Sequence, residues 1–506
     1  MAATISSTDA HKIQRHNVGN TYMITDLPED ILLHILSLLP TKDAVRTSVL
    51  SNRWRHLWTY LTVFHFDTGL YESNHPNSKN TANCLLDLVG RLLRKSNHVE
   101  RLGVEILETV VDRNKVHSLI SSAAKHRVQY LELSLGDRND KFVLPRSFST
   151  FQSLSELHLG LMFTLHIPSG IRFPNLKKLV VSDVTFSNEN SVQQLFSGCP
   201  ILQELDLCNC YWKSIEHINV AISTLGKLTI EFDDFSVNYD HDMTLTIDAE
   251  NLLSLTCDCN PAIEIIPVNL TSIVDALIDI GYDNDDTPTY DVADCSYDLL
   301  SGLGSVKFLY VHHDTLECLY YTEDNLHLLP TFHHLTHLVV DSESPEYTNE
   351  VLMDILRKTP KLEFLEIPGV VLNYLDGEDQ ILNSLPCCFN TSLSSLCFLY
   401  FYGDEYEIKF VKFILENAPH LVEMNIHCSR HLLADTEKVT AIRDQLEDVG
   451  LESCVIKFLN HDYEDSDDDD DDEPDKDEAR YQLQTFSLMI CLFTVPVIMI
   501  LLLLFF

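Results

Sequence analysis

From residue 99 onward, apolar side chains return in one spacing: apolar, two variable positions, apolar, one variable position, apolar. The copies run from Val99/Leu102/Val104 and Val128/Leu131/Leu133, through Leu202/Leu205/Leu207, to Leu393/Leu396/Phe398 and Leu421/Met424/Ile426. There are thirteen, the weakest at Ile273/Ala276/Ile278 and Val306/Leu309/Val311. Their starts recur at the period of a short repeat unit, each long enough for one strand and one return segment. The closing alternation of each copy predicts a short strand, its apolar residues facing a core and the residues between them facing outward. Ser191–Phe196, Glu350–Arg357 and Ile408–Glu416 read as helices between strands. One such unit cannot bury its own apolar face, so neighbours must stack. An ordinary α/β domain also alternates strands and helices, but thirteen similar units favour a repeat array. The expected fold class is α/β. Residues 80–384 form a repeat solenoid with parallel strands on a concave face and helices on a convex face.

Residues 26–60 carry a different period. Pro28 suits a first helical turn, and Glu29 and Asp30 complement the helix dipole. Ile31, Leu32, Ile35, Leu36, Leu38 and Leu39 then place apolar groups on more than one helical face. Pro40 stops this helix. Thr41 is expected to cap a second one through Val45, Val49 and Leu50, and Ser51 a third with Trp54, Leu57 and Trp58. Three short helices within roughly 40 residues can hide little apolar surface by themselves. The excess asks for a partner, or makes the module a cap on the next domain.

The two ends add polar and apolar extremes. Residues 1–22 are expected to be disordered. Residues 459–480 read as a disordered acidic linker, with thirteen acids against Lys476 and Arg480 between Asp462 and Arg480. Phe486–Phe506 holds 21 residues without a charge, the length of a bilayer span. Pro496 is tolerable there. The expectation is a tail anchor, with the body facing the cytosol.

Charge and composition narrow the chemistry. The net charge is −41, of which −30 lies outside the acidic run, so nucleic acid is disfavoured and a basic target surface is expected. No Walker-type loop, His-Glu-x-x-His or Gly-x-Ser-x-Gly occurs. The first 25 residues hold no apolar stretch, so no secretory signal is expected and the 14 cysteines should stay reduced. Cys208/Cys210 and Cys257/Cys259 are expected to face the same side of their strands as small core residues, and Cys387/Cys388 forms a third pair. None has the spacing of a zinc site. His333-His334-x-x-His337 is the densest histidine cluster, but neither a metal nor a cofactor is expected.

The run Asp-Leu-Pro-Glu-Asp-Ile-Leu-Leu-His-Ile-Leu from Asp26, continued by Ser-Asn-Arg-Trp-Arg-His-Leu-Trp to Trp58, resembles the plant F-box pattern. The repeat period resembles that of leucine-rich repeats. Leu385-Pro386-Cys387-Cys388 and the later Leu-Glu-Asn-Ala-Pro of 415–419 resemble the FBD domain that ends many plant F-box/leucine-rich-repeat proteins. The resemblance implies an F-box over 23–66 and an FBD-type C-terminal cap over 385–458. It implies a non-catalytic substrate receptor of a cullin–RING ubiquitin ligase, cytoplasmic or nuclear, with a small adaptor subunit as partner and the cullin as an indirect one. The family positions fall on Leu27, Pro28, Ile31, Ile35, Val45, Leu50 and Trp54, the expected adaptor contacts. The outward strand positions Glu132, Glu156, His158, Lys178, Glu204, Asp206 and Glu366 are the candidate contacts to an unidentified protein target. A scaffold that does not direct degradation is the competing reading.

Overall fold

The computed structural model describes residues 27–67, 78–106, 111–136, 141–212, 215–232, 243–259, 263–281, 290–320, 326–341, 349–368, 386–447, 449 and 454–460. The expectations for residues 1–22, for 461–480 and for the apolar tail 486–506 fall outside these. Among the described residues, no helix is long and apolar enough to cross a membrane.

Among the described residues, one sheet of fifteen strands runs in sequence order. Each of the thirteen sequence copies ends in one of its strands, from Arg101–Ile106 to Glu423–Cys428. Two strands were not anticipated. Val63–Asp67 pairs with Arg101–Ile106 at one edge, and Val455–Asn460 lies at the other, running two residues into the expected linker. The strand register shows what the spacing encodes. Phe64, Leu102, Leu131, Leu157, Leu179, Leu205 and Leu228 are successive cross-strand partners. Beyond them the same row continues through Leu255, Ala276, Leu309, Leu338, Leu365, Leu396 and Met424. All are buried. A parallel ladder in constant register lets each apolar residue cover its neighbour, which is why the weak copy at Ala276 is still a strand.

The layer behind this sheet is not all helix, which corrects the expectation. Helices Ser78–Lys95 and Arg113–Lys125 pack behind the first strands, and Tyr290–Ser301, His313–Tyr320, Asn349–Arg357, Cys387–Thr391 and Glu405–Asn417 behind the last. Between them lie two small parallel sheets, one of Lys141–Val143, Thr164–His166 and Thr185–Phe186, the other of His217–Val220, Met243–Ile247 and Ile263–Pro267. The cause is length. The strand-bearing returns belong to the shorter repeats, such as those opening at Leu154 and Leu252, and the helix-bearing ones to the longer, such as those opening at Ile273 and Leu362. Glu189–Ser197, a helix in one of the shorter repeats, is the exception. An extended return spans the same distance with fewer residues than a helix.

At the C-terminal end, Phe410, Val411, Ile414 and Leu415 form the buried face of Glu405–Asn417, as their spacing implies. Glu407 is also buried, and accepts the backbone N–H groups of Tyr402 and Asp404 at 3.0 Å. Its carboxyl pKa is raised by burial against these bonds.

The N-terminal module departs from its reading in two places. Glu29–Ser37 and Thr41–Arg46 are α-helical, but the third segment, Trp54–Tyr60, is a 3-10 helix. Neither Thr41 nor Ser51 caps a helix. Thr41 opens its helix and accepts the N–H of His65 at 2.9 Å, tying the module to the first strand. The Ser51 hydroxyl is buried without a hydrogen bond. All thirteen described cysteines are free. Cys257 and Cys259 are buried together, as expected. Cys208 and Cys210 do not share a face: Asn209, at φ 49°, turns the chain after the strand, leaving Cys208 outward and Cys210 buried. Asparagine is among the few residues other than glycine that accept this conformation readily.

Candidate functional site

Two surfaces carry unspent chemistry. The first is apolar. The Glu29–Ser37 helix turns Leu32 and Leu36 into the chain's core but leaves Ile31 outside, followed by Leu38 at 72% exposure. Val49 and Leu50, after the second helix, are 85% and 64% exposed. Among the described residues, seven of the eighteen exposed large apolar side chains fall within 31–63, while the other eleven are scattered from 88 to 455. Isolated exposed apolar residues are ordinary; a concentration marks a covered surface.

The expected adaptor contacts divide on this surface. Pro28, Ile31 and Leu50 are exposed; Leu27, Ile35 and Val45 are half-buried, with Leu27 and Val45 packed against the core. Trp54 is a correction. It is 2% exposed and belongs to the chain's own core with Leu57, so it cannot present its ring to a partner. The 3-10 geometry of Trp54–Tyr60 decides this, because it directs Trp54 and Leu57, three residues apart, to one side. Leu38, Leu39 and Val49 were missed. The breadth of the apolar pattern was their only sequence signal.

The second surface is the outward face of the sheet. Six of the seven expected target contacts meet on four adjacent strands. Glu156, Lys178 and Glu204 are successive partners in one row, and Glu132 pairs with His158 in the next, where Asp206 also lies. The Lys178 ammonium sits 3.0 Å from Glu204 and 3.4 Å from Asp206. Burial lowers its pKa, but the two carboxylates outweigh this and the net shift is upward. Tyr130 and Arg101 complete the cluster. The Arg101 guanidinium lies 3.7 Å from the centre of the Tyr130 ring, and the Tyr130 hydroxyl donates to Glu132 at 3.0 Å. Burial, then Glu132, pushes the phenol up to about 12. His158 leans on Tyr130 with ring centroids 4.8 Å apart, and burial lowers its imidazole pKa. His158 Nε2 and Asp206 Oδ1 are buried without hydrogen bonds. Such atoms carry a desolvation cost that a bound partner could remove.

Glu366 is not part of this cluster. It lies on Phe364–Pro368, well beyond the Asp206 strand in the order of the sheet. Burial raises its pKa, against a bond from Cys397. Two residues back along the same strands, His337 stands between Phe308 and Phe364, with ring centroids 4.6 and 5.6 Å away. Burial lowers the His337 pKa. His333 and His334 are exposed in the turn before it, so the three histidines do not converge. The outward face therefore has a charged half and a half that carries this aromatic stack. In the charged half acids prevail, and the outermost positions add Glu105, Glu231, Asp258 and Asp279 without a lysine or arginine.

Comparison with known proteins assigns the segments. Residues 24–66 match the F-box domain, 116–265 match the family described as "FBD-associated F-box protein At5g56370, LRR repeats", and 380–426 match FBD. The chain is 27% identical to F-box/LRR-repeat protein At4g14096 of Arabidopsis thaliana, covering 87% of this chain and 95% of that one. F-box/LRR-repeat protein At3g59200 of the same plant is also 27% identical, with 80% and 82% covered. Putative F-box/FBD/LRR-repeat protein At1g66290, again from Arabidopsis thaliana, is 28% identical, with 80% and 88% covered.

Proposed function

Because this chain belongs to the plant F-box/FBD/leucine-rich-repeat family, we propose that it is the substrate-receptor subunit of a cullin–RING ubiquitin ligase. The observation that carries the reading is the exposed apolar group at Ile31, Leu38, Leu39, Val49 and Leu50 on a module otherwise anchored to the sheet. The small adaptor subunit covers it. The repeat face holds the target, through Glu132, Glu156, His158, Lys178, Glu204 and Asp206. An acid-rich face suits a segment carrying lysines or arginines, and complementary charge speeds encounter and rejects acidic competitors.

The receptor performs no bond chemistry in this reading. It raises the effective concentration of target lysines near the ligase's catalytic subunits. The test pairs association with turnover. The wild-type chain should co-purify with adaptor and cullin, and Leu38→Asp combined with Leu50→Asp should not. Proteins captured by the repeat face should accumulate in cells carrying that double variant. Retained adaptor binding by the double variant contradicts the proposed contact surface, and unchanged turnover of captured proteins contradicts the receptor role.

A further inference from the structure

We propose that Asp279, His312, His313 and Asp314 form a binding site for one divalent transition metal of the zinc class, clamping two successive repeats. Asp279 lies on strand Asp275–Ile280, His312 ends the neighbouring strand Phe308–His312, and His313 and Asp314 open the helix His313–Tyr320. The register of these strands brings Asp279 and His312 together. One donor atom from each of His312, His313 and Asp314 lies within 4.8 Å of the others.

The separations fit the chemistry. His312 Nδ1 is 3.3 Å from an Asp279 oxygen and 3.4 Å from an Asp314 oxygen. Zinc bonds to nitrogen and oxygen of about 2.0–2.2 Å place tetrahedral ligands about 3.2–3.6 Å apart. His313 Nε2 is 2.9 Å from the other Asp314 oxygen. The four side chains are only 14 to 29% exposed, so little water competes. The second observation is independent of proximity. His312 Nδ1, the atom that faces both carboxylates, is buried without a properly directed hydrogen bond. A pair of imidazoles with flanking carboxylates selects zinc-type ions over magnesium or calcium, which prefer all-oxygen ligands. Imidazoles ligate in their neutral form, so metal uptake should tighten as pH rises.

The surroundings hold the ligands in place. Thr315 is fully buried, and its hydroxyl accepts the N–H of Ile280 at 2.8 Å. This bond fixes the first turn of the helix that carries His313 and Asp314 to the end of the Asp279 strand. Rigid support of this kind orients metal ligands. The site also stands where the layer behind the sheet changes from strands to helices, after the longest of the repeats.

The experiment uses the full chain, stripped with a chelator and dialysed into metal-free buffer. Titration with ZnCl₂ should show about one equivalent bound, with a rise in melting temperature, and MgCl₂ should produce neither. Loading with CoCl₂ should give tetrahedral visible absorption without a thiolate-to-metal charge-transfer band, which separates this site from the free cysteines. His313→Ala and Asp279→Asn should each lose the equivalent, while His333→Ala with His334→Ala keeps it. A wild-type chain that takes up no zinc at micromolar concentration overturns the proposal without any variant. So does a cobalt spectrum dominated by thiolate ligation, or an equal response to magnesium.

Discussion

The N-terminal helices and the repeat sheet are both rich in apolar residues, yet they dispose of them differently. In the sheet, each strand covers its neighbour's apolar row, and outward positions are mostly polar or charged. In the helices, Leu32 and Leu36 are covered by the chain, and Leu38, Val49 and Leu50 are not. A stacked array satisfies itself, whereas a short helical module satisfies itself only in a complex. The difference teaches where a partner is needed for energy and where it is chosen for specificity.

The comparison is broken most severely at Trp54. Trp54→Ala should destabilise the module by about 3–5 kcal/mol, as deletion of a buried ring does. Chemical denaturation followed by circular dichroism measures this. Trp54→Phe should keep both the fold and adaptor binding, because the ring faces inward. Next comes the sheet. Leu205→Ala opens a hole in a continuous row and should cost about 2–5 kcal/mol, while adaptor affinity stays unchanged in the folded fraction. The exposed patch behaves in the opposite way. Leu38→Asp with Leu50→Asp should leave the melting temperature in place and weaken adaptor binding on the order of 100-fold, as measured by calorimetry.

Smaller effects sharpen the picture of the outward face. Lys178→Ala removes a half-exposed ion pair and should cost no more than about 1 kcal/mol of stability. If target binding falls far more than that, the charged half is the docking face. The smallest effect concerns pH. Burial and Lys178 lower the His158 pKa, against Glu132, Glu156 and Asp206. The folded state then binds fewer protons than the unfolded one, so stability falls as pH drops through the unfolded value of 6.5. His158→Gln should reduce the loss of stability between pH 7.5 and pH 5, and an unchanged pH profile would remove this role.

Much of the sheet was legible because each repeat states its two core positions in one spacing. The first strand obeyed the same rule, as Leu61/Phe64/Phe66, but it lay just past the helical pattern, in the stretch over 23–66 that the resemblance had assigned to the F-box. The last strand was silent because its Ile456 and Phe458 are only half-buried at an edge. Alternation identified outward residues such as Glu132 and Lys178. It could not show that six of them meet while Glu366 stands apart, since the lateral order follows from stacking. Trp54 misled for a related reason: an aromatic residue suits an interface or a core equally, and the 3-10 turn chose the core. Asp279 and His312 were invisible as neighbours because a whole repeat separates them in the chain.

The most direct measurement is a titration of the purified full chain with the cullin adaptor, comparing wild type, Trp54→Phe and Leu38→Asp with Leu50→Asp. The account predicts saturable binding at or below micromolar concentration for the first two, and loss for the third with an unchanged melting temperature. Equal binding by all three, or none by the wild type, would contradict the claim that this exposed apolar group is the adaptor's seat.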